Sequence, residues 1–179
     1  MDEASYEVDV RSILEDLGGI LEIDADIALP VLFLGTEEFG PTGPGRLKAT
    51  VTNTGAGIVV SGTVEVDVRA QCSRCLRDFV LTVTGDVEGF YVMPGAERDL
   101  PDEQEHGFVR QGSADIIEAV LSALALELPF APLHAIDCAG ICPTCGADLN
   151  ESECSCAPPE SSSPFALLKA LLPEDADTP

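Results

Sequence analysis

The residues of this chain whose types and spacing carry chemistry are seven cysteines and two histidines. The thiols fall as Cys72-x2-Cys75, Cys138-x3-Cys142-x2-Cys145 and Cys154-x-Cys156. A two-residue gap lets both sulfurs of a pair converge on one ion while nearby backbone N–H groups turn toward them. Cys142-Pro-Thr-Cys145 is followed by Gly146, which supplies the backbone freedom such a knuckle needs just past its second ligand. Cys72-Ser-Arg-Cys75 is followed by Leu76 and lacks that glycine. A redox CxxC pair is the competing reading of this motif, but such a pair opens a helix after a strand in a βαβ unit. Here the flanks read as antiparallel strands, which favours metal.

Structural zinc takes four Cys or His donors in a tetrahedron. His106 sits in an acidic loop and reads as solvated, whereas His134 stands four residues before Cys138. Seven thiols plus His134 make eight donors, enough for two closed sites. Chain order gives one partition: Cys72, Cys75, His134 and Cys138 in a first site, and Cys142, Cys145, Cys154 and Cys156 in a second. The other partition is a single ion held by Cys138, Cys142, Cys145 and either Cys154 or Cys156, with the first pair free. Closing the long loop from Cys75 to His134 costs roughly 3–4 kcal/mol. Structural zinc in small peptides is worth about 10–16 kcal/mol, which suffices to hold that closure.

The elements that must position these donors follow from periodicity. A short helix over 10–17 and a strand-like stretch over 19–27 precede the loop Gly40-Pro41-Thr42-Gly43-Pro44-Gly45. From Leu47 the apolar period becomes two: Leu47, Ala49 and Val51 alternate with polar residues, Asn53 to Gly57 supplies a turn, and Val59 to Val68 is dense in valine. Phe79 to Val92 reads as a further strand pair. Cys72 and Cys75 then lie in a connection within an antiparallel meander. One helix follows, with Ser113 as its cap, Asp115 at its positive end, and Ile117, Val120, Leu121, Leu124 and Leu128 on one stripe. Pro129 closes it. The expected class is α+β: an antiparallel meander packed by a helix from the C-terminal half, with a small cysteine-rich lobe. The expected divisions are an N-terminal segment 1–45, a sheet-plus-helix core 46–132, a metal-binding lobe 133–157, and a tail 158–179 with a spacer, a short apolar helix over 165–172 and an acidic end.

Composition narrows function. With 32 acids against 9 bases the formal net charge is −23. Tight binding to nucleic acid rests on Lys and Arg displacing counterions from phosphates, and nine scattered bases build no such face. Direct RNA contact is therefore expected to be weak or indirect, and a basic protein partner suits the field. No run reaches the ~18–20 apolar residues of a membrane span. The acidic start Met-Asp-Glu-Ala-Ser-Tyr-Glu lacks the basic and apolar character of a signal peptide, so a cytoplasmic location is expected. Motifs for phosphate loops, HExxH metallohydrolases and GxSxG hydrolases are missing, and no small-molecule substrate suggests itself. The expectation is a protein that is not an enzyme.

Cys72-Ser-Arg-Cys75-Leu76 with Phe79, the run from Asp115 through Leu128 into Pro129-Phe130-Ala131-Pro132, and Cys138-Ala-Gly-Ile-Cys142-Pro-Thr-Cys145-Gly146-Ala-Asp-Leu149-Asn150 resemble the YceD family. Pro164-Phe165-Ala166-Leu167-Leu168 adds to the likeness, which covers roughly Val60 onward. The resemblance implies support of large-subunit (23S) ribosomal RNA synthesis, processing or stability. Members can lack the second cysteine cluster, and where many carry an acidic-proline-arginine step before the terminal motif this chain has Ser162-Ser163. The leading expectation is a zinc-binding assembly factor, with one or two ions, acting on a basic ribosomal protein or large-subunit precursor. The rival readings are a thiol-based redox-sensing zinc switch and a zinc hydrolase acting on RNA. The second of these needs an open metal position.

Overall fold

A computed structural model describes residues 4–101 and 104–156. The apolar helix expected over 165–172, like the spacer before it and the acidic end after it, lies outside the described residues. Among the described residues the chain is mostly β with one α-helix. The strands are β1 (Glu7–Asp9), β2 (Ile20–Ile27), β3 (Leu32–Leu34), β4 (Glu37–Pro41), β5 (Gly45–Asn53), β6 (Ile58–Gln71), β7 (Asp78–Val92), β8 (Gly107–Arg110) and β9 (Ser113–Asp115), and the helix is α1 (Ile117–Glu127).

Strands β5, β6 and β7 are successive antiparallel neighbours, joined by the turn after Asn53 and by the cysteine-bearing loop after Gln71. Around this centre the topology departs from a plain meander. Strand β6 is long enough to hold β5 along its first half and β4 along its second, through Gly40↔Arg69 and Pro41↔Val68. Strand β8 joins β7 in parallel, and β1 from the start of the chain closes on β9. Strand β2 pairs with β5 along its whole length.

The alternation read from the sequence is the alternation of burial. In β5 the inward positions are Gly45, Leu47, Ala49, Val51 and Asn53, and in β6 the even-numbered residues from Val64 to Ala70 point inward. Helix α1 covers this face. It packs on β7 and reaches β3 from the far end of the strand order, so the sheet curls round it. Gly85 permits the closest approach: a Cβ there would meet the Ala123 carbonyl oxygen at 2.5 Å. Ile117, Val120, Ala123 and Leu124 are buried on the stripe that faces the sheet, and Leu128 is buried just beyond the last turn.

Four local expectations are corrected. Residues 10–17 form consecutive turns, held by Ile13 N–H to the Val10 carbonyl and Asp16 N–H to the Ile13 carbonyl, with no helix. Asn53 anchors these turns: its amide donates to the carbonyls of Ile13 (2.7 Å) and Leu14 (3.0 Å). Phe79 to Val92 belongs to one 15-residue strand and not to a pair. The loop before β5 is shorter than expected, because Gly40 and Pro41 pair with β6 and tertiary pairing overrides the breaker signal. Ser113 does not cap α1. It lies in β9, and the helix entry is organised by Asp115, whose Oδ1 accepts the Ile117 N–H at 3.1 Å.

Candidate metal centre

The loop between β6 and β7 begins as the hairpin ends. Cys72 N–H donates to the Arg77 carbonyl (2.8 Å) and Leu76 N–H to the Cys72 carbonyl (2.9 Å). Seventy residues later the pattern repeats: Cys142 N–H donates to the Ala147 carbonyl (2.8 Å) and Gly146 N–H to the Cys142 carbonyl (2.9 Å). Both closures need a left-handed residue just after the second cysteine. Gly146 takes it at φ 73, and Leu76 takes it at φ 61. A leucine there is strained by about 1–2 kcal/mol. Its presence shows that the two motifs are the same knuckle, although the missing glycine makes the first look weaker in sequence.

The chain then brings distant segments to the first knuckle. Past the end of α1, the Pro132 carbonyl accepts the Ser73 N–H at 2.9 Å, and Arg74 Nη1 donates to the Cys138 carbonyl at 3.0 Å. This carries His134 and Cys138 to the thiols. The ligand atoms of Cys72, Cys75, His134 and Cys138 all lie within 4.8 Å of one another, and so do those of Cys142, Cys145, Cys154 and Cys156. All eight sequence candidates are thus placed, in two groups of four. His106 lies elsewhere, its ring edge-on to Phe108.

The spacings within the first group test what the group fits. Tetrahedral zinc with Zn–S of about 2.3 Å and Zn–N of about 2.05 Å sets S···S edges near ~3.8 Å and S···N edges near ~3.6 Å. The Cys72 and Cys138 sulfurs are 3.8 Å apart, and His134 Nδ1 lies 3.4 Å from both the Cys75 and the Cys72 sulfur. A disulfide would need about 2.05 Å. The donor set fits a closed four-coordinate site for a divalent ion of zinc's kind. Cys72, Cys75 and Cys138 are buried and pack with Phe79, Leu133 and Ile141 in a small core of their own. In the second group Cys142 is buried, Cys145 is exposed, and Cys154 and Cys156 are half-buried.

Thiol electrostatics follow from the burial and hydrogen bonds of each sulfur. Burial raises Cys72, but its hydrogen bond with His134 and the N–H groups of Cys75, His134 and Arg74 outweigh burial and hold it down to about 5. Its neighbour Cys75 is pushed up, first by burial and then by its closeness to Cys72 and Cys138. In the second group the Cys145 and Thr144 N–H groups bring Cys142 down to about 6, while Cys156 is pushed up to about 12 by its hydrogen bond with Cys145 and by burial. A divalent cation among these sulfurs would favour their thiolate forms.

Three contacts invisible to spacing rules join the two clusters. Asn150 accepts the Ala139 N–H at 2.8 Å and turns its amide toward the Cys138 sulfur at 3.5 Å. Arg77, just past the first knuckle, contacts Asp148 at 3.0 Å and Glu151 at 2.6 Å. Leu149 N–H donates to the Gly140 carbonyl at 2.9 Å, beside the single bridge Ile141↔Asp148. Asn150 stood in the sequence motif, but only its fold neighbours reveal its donor role.

A mostly β protein carrying two four-donor, thiolate-rich clusters at the junction of a hairpin and a helix exit is the class these observations define. The chain belongs to the YceD family, described as large ribosomal RNA subunit accumulation protein YceD, whose sequence profile matches residues 60–172. It is also similar to uncharacterized proteins of Mycobacterium bovis and Mycobacterium tuberculosis, each 33% identical over 104 residues, which is 58% of this chain and 50% of the relative. An uncharacterized protein of Mycobacterium leprae is 31% identical over 107 residues, 59% of this chain and 49% of the relative. The chain therefore spans about half the length of the curated relatives it matches. No solved structure matches it significantly. Among the described residues, no helix is long and apolar enough to cross a membrane.

Proposed function

We propose that this protein is a non-catalytic, cytoplasmic zinc-binding factor that supports large-subunit (23S) ribosomal RNA synthesis, processing or stability and ribosome assembly, acting through protein contacts. The family match over residues 60–172 carries the ribosomal part of the reading. The paired clusters support zinc over harder cations, because thiolate and imidazole in tetrahedral array suit zinc, whereas magnesium and calcium take oxygen donors. Cys72, Cys75, His134 and Cys138 would hold one ion and Cys142, Cys145, Cys154 and Cys156 the other. With four protein donors each, both sites are closed and leave no position for an activated water, so the ions hold the lobe in shape. The excess of 32 acids over 9 bases supports a basic ribosomal protein or a large-subunit precursor as partner, in preference to bare RNA.

The test is depletion of the protein with gradient sedimentation of the lysate. The expected result is a fall in 23S relative to 16S RNA and co-sedimentation of the protein with large-subunit precursors. Normal 23S levels, with the protein found only as free material, would refute the reading.

A further inference from the structure

The residues between Cys145 and Cys154 connect the two clusters. This loop leaves the second knuckle at Ala147, whose carbonyl accepts the Cys142 N–H at 2.8 Å. It turns at Asp148, whose carbonyl accepts the Glu151 N–H (3.2 Å) and the Ser152 N–H (3.1 Å), and runs on to Cys154. Cys145 and Cys154 both belong to the second cluster, so ligation there fixes the loop at both ends.

The middle of the same loop grips the first cluster. Asn150 uses its whole amide: Oδ1 accepts the Ala139 N–H at 2.8 Å, and Nδ2 donates to the Cys138 sulfur at 3.5 Å and to Asp148 Oδ1 at 2.6 Å. Asp148 Oδ1 also accepts the Asn150 N–H at 2.8 Å, a local closure that holds the asparagine in place, while Oδ2 takes Arg77 at 3.0 Å. The Leu149 N–H donates to the Gly140 carbonyl at 2.9 Å. Gly140, at φ 79, lies close on the first knuckle: a Cβ there would sit 3.3 Å from the Arg74 carbonyl oxygen. Cys138 is therefore held from two sides, at its carbonyl by Arg74 of the first knuckle and at its sulfur by Asn150 of the loop.

A donated N–H stabilises charge on a ligating sulfur and fixes its direction. Groups that orient a metal ligand in this way change metal affinity by about 10–100-fold. A loop anchored at one end alone must be ordered before Asn150 can act, and that ordering costs conformational entropy. Ligation by Cys145 and Cys154 orders it in advance, and the first site no longer bears the cost. Linkage makes the effect reciprocal, with the same factor in both directions.

We propose that the two metal sites are energetically coupled, each raising the affinity of the other, with Asn150 as the positioning residue that transmits second-cluster ligation to Cys138. The proposal rests on the reading that each cluster holds a zinc ion, and it adds how the two ions depend on one another.

The test loads the reduced full chain with cadmium-113, a thiolate-binding ion whose resonance separates a three-thiolate, one-imidazole site from a four-thiolate site. A competing chelator then withdraws the metal, and the loss of each resonance gives the affinity of each site. Cys145→Ser with Cys154→Ser, which removes two second-cluster donors, should weaken the first site about tenfold, the lower end of the range because Asn150 is exposed. Asn150→Ala in the chain with all its cysteines should weaken both sites by about the same factor and move the first-site resonance. Asn150→Asp keeps an acceptor for the Ala139 N–H and loses the donor to Cys138, so it should weaken the first site as Asn150→Ala does. Adding Asn150→Ala to the cysteine variant should weaken the first site further by less than about twofold, because both changes break one connection. First-site affinity unchanged in the cysteine variant, effects that multiply when combined, or wild-type affinity in Asn150→Asp would each overturn the proposal, while two bound ions would still uphold the zinc reading. A reduced chain that takes up neither ion would overturn both.

Discussion

Removing metal from the reduced protein should release the cysteine lobe and spare the sheet. Between Leu133 and Cys156 the described chain contains no strand beyond the bridge Ile141↔Asp148, and its fully buried side chains are cysteines. Leu133, Ile141 and Leu149 are half-buried. A fully buried side chain of this size contributes about 1.5–3 kcal/mol, so these contribute about 1 kcal/mol each. The sheet and α1, by contrast, share a continuous core that includes Phe39, Leu47, Val64, Ile116 and Leu124, all essentially inaccessible. Binding to the folded form alone stabilises by about 4 kcal/mol when free ligand stands at a thousand times its dissociation constant. Hydrogen exchange reads this directly. On chelation under reducing conditions, the amides of Cys142, Gly146 and Leu149 should lose protection by about a thousandfold, the equivalent of that stabilisation. Those of Val64, Val66 and Val68 should change by less than about threefold. Lobe amides that stay fully protected in a reduced, metal-free protein would refute the claim that the ions order this segment.

Metal content separates the two partitions: the wild-type chain should hold two zinc ions, and Cys75→Ser and Cys145→Ser should each lower this to one, as measured by elemental analysis of reduced protein. Under the single-site arrangement Cys75→Ser would leave the content unchanged. Asn53→Ala should cost about 2–3 kcal/mol by denaturant midpoint, since two donated bonds and one accepted from the Gly55 N–H are lost near the core. Asn53→Asp should cost more at neutral pH, because it turns a carboxylate toward the carbonyls of Ile13 and Leu14. Asp115 is raised by burial but lowered more by the N–H groups of Tyr6 and Ile117 and by Ser5, so its folded pKa lies below the ordinary value. Its stabilisation is therefore present above about pH 4 and lost as pH falls through the folded pKa. The wild-type advantage over Asp115→Ala should be about 1 kcal/mol at pH 7 and should shrink in acid, read from paired unfolding curves.

What could be read without coordinates was local. The valine alternation of β6, the apolar stripe of α1 and the Cys142–Gly146 knuckle each depend on residues within one or two turns of backbone, where chain geometry leaves few options. Misreadings arose where distant partners outbid local preference. Residues 10–17 lie in turns anchored by Asn53, forty positions beyond Ile13, through the carbonyls of Ile13 and Leu14. Gly40 and Pro41 extend a strand because the far end of β6 offers them an edge. Leu76 tolerates a glycine-like φ because the knuckle hydrogen bonds and the packing of Cys72 and Cys75 hold it there.

Sequence by itself determined which thiols and imidazoles are available as candidate ligands and that acids outnumber bases 32 to 9. Chain order offered a division of eight of them into two groups of four, with a single-ion arrangement as the alternative. Only the tertiary structure shows which donors lie together, because the grouping of Cys72 and Cys75 with His134 and Cys138 depends on the loop before a 15-residue strand meeting the segment after an 11-residue helix. Strand rise and helix rise set those end points, and α1 approaches β7 most closely at Gly85. Spacing fixes a knuckle; convergence of two knuckles in space is a property of the whole fold.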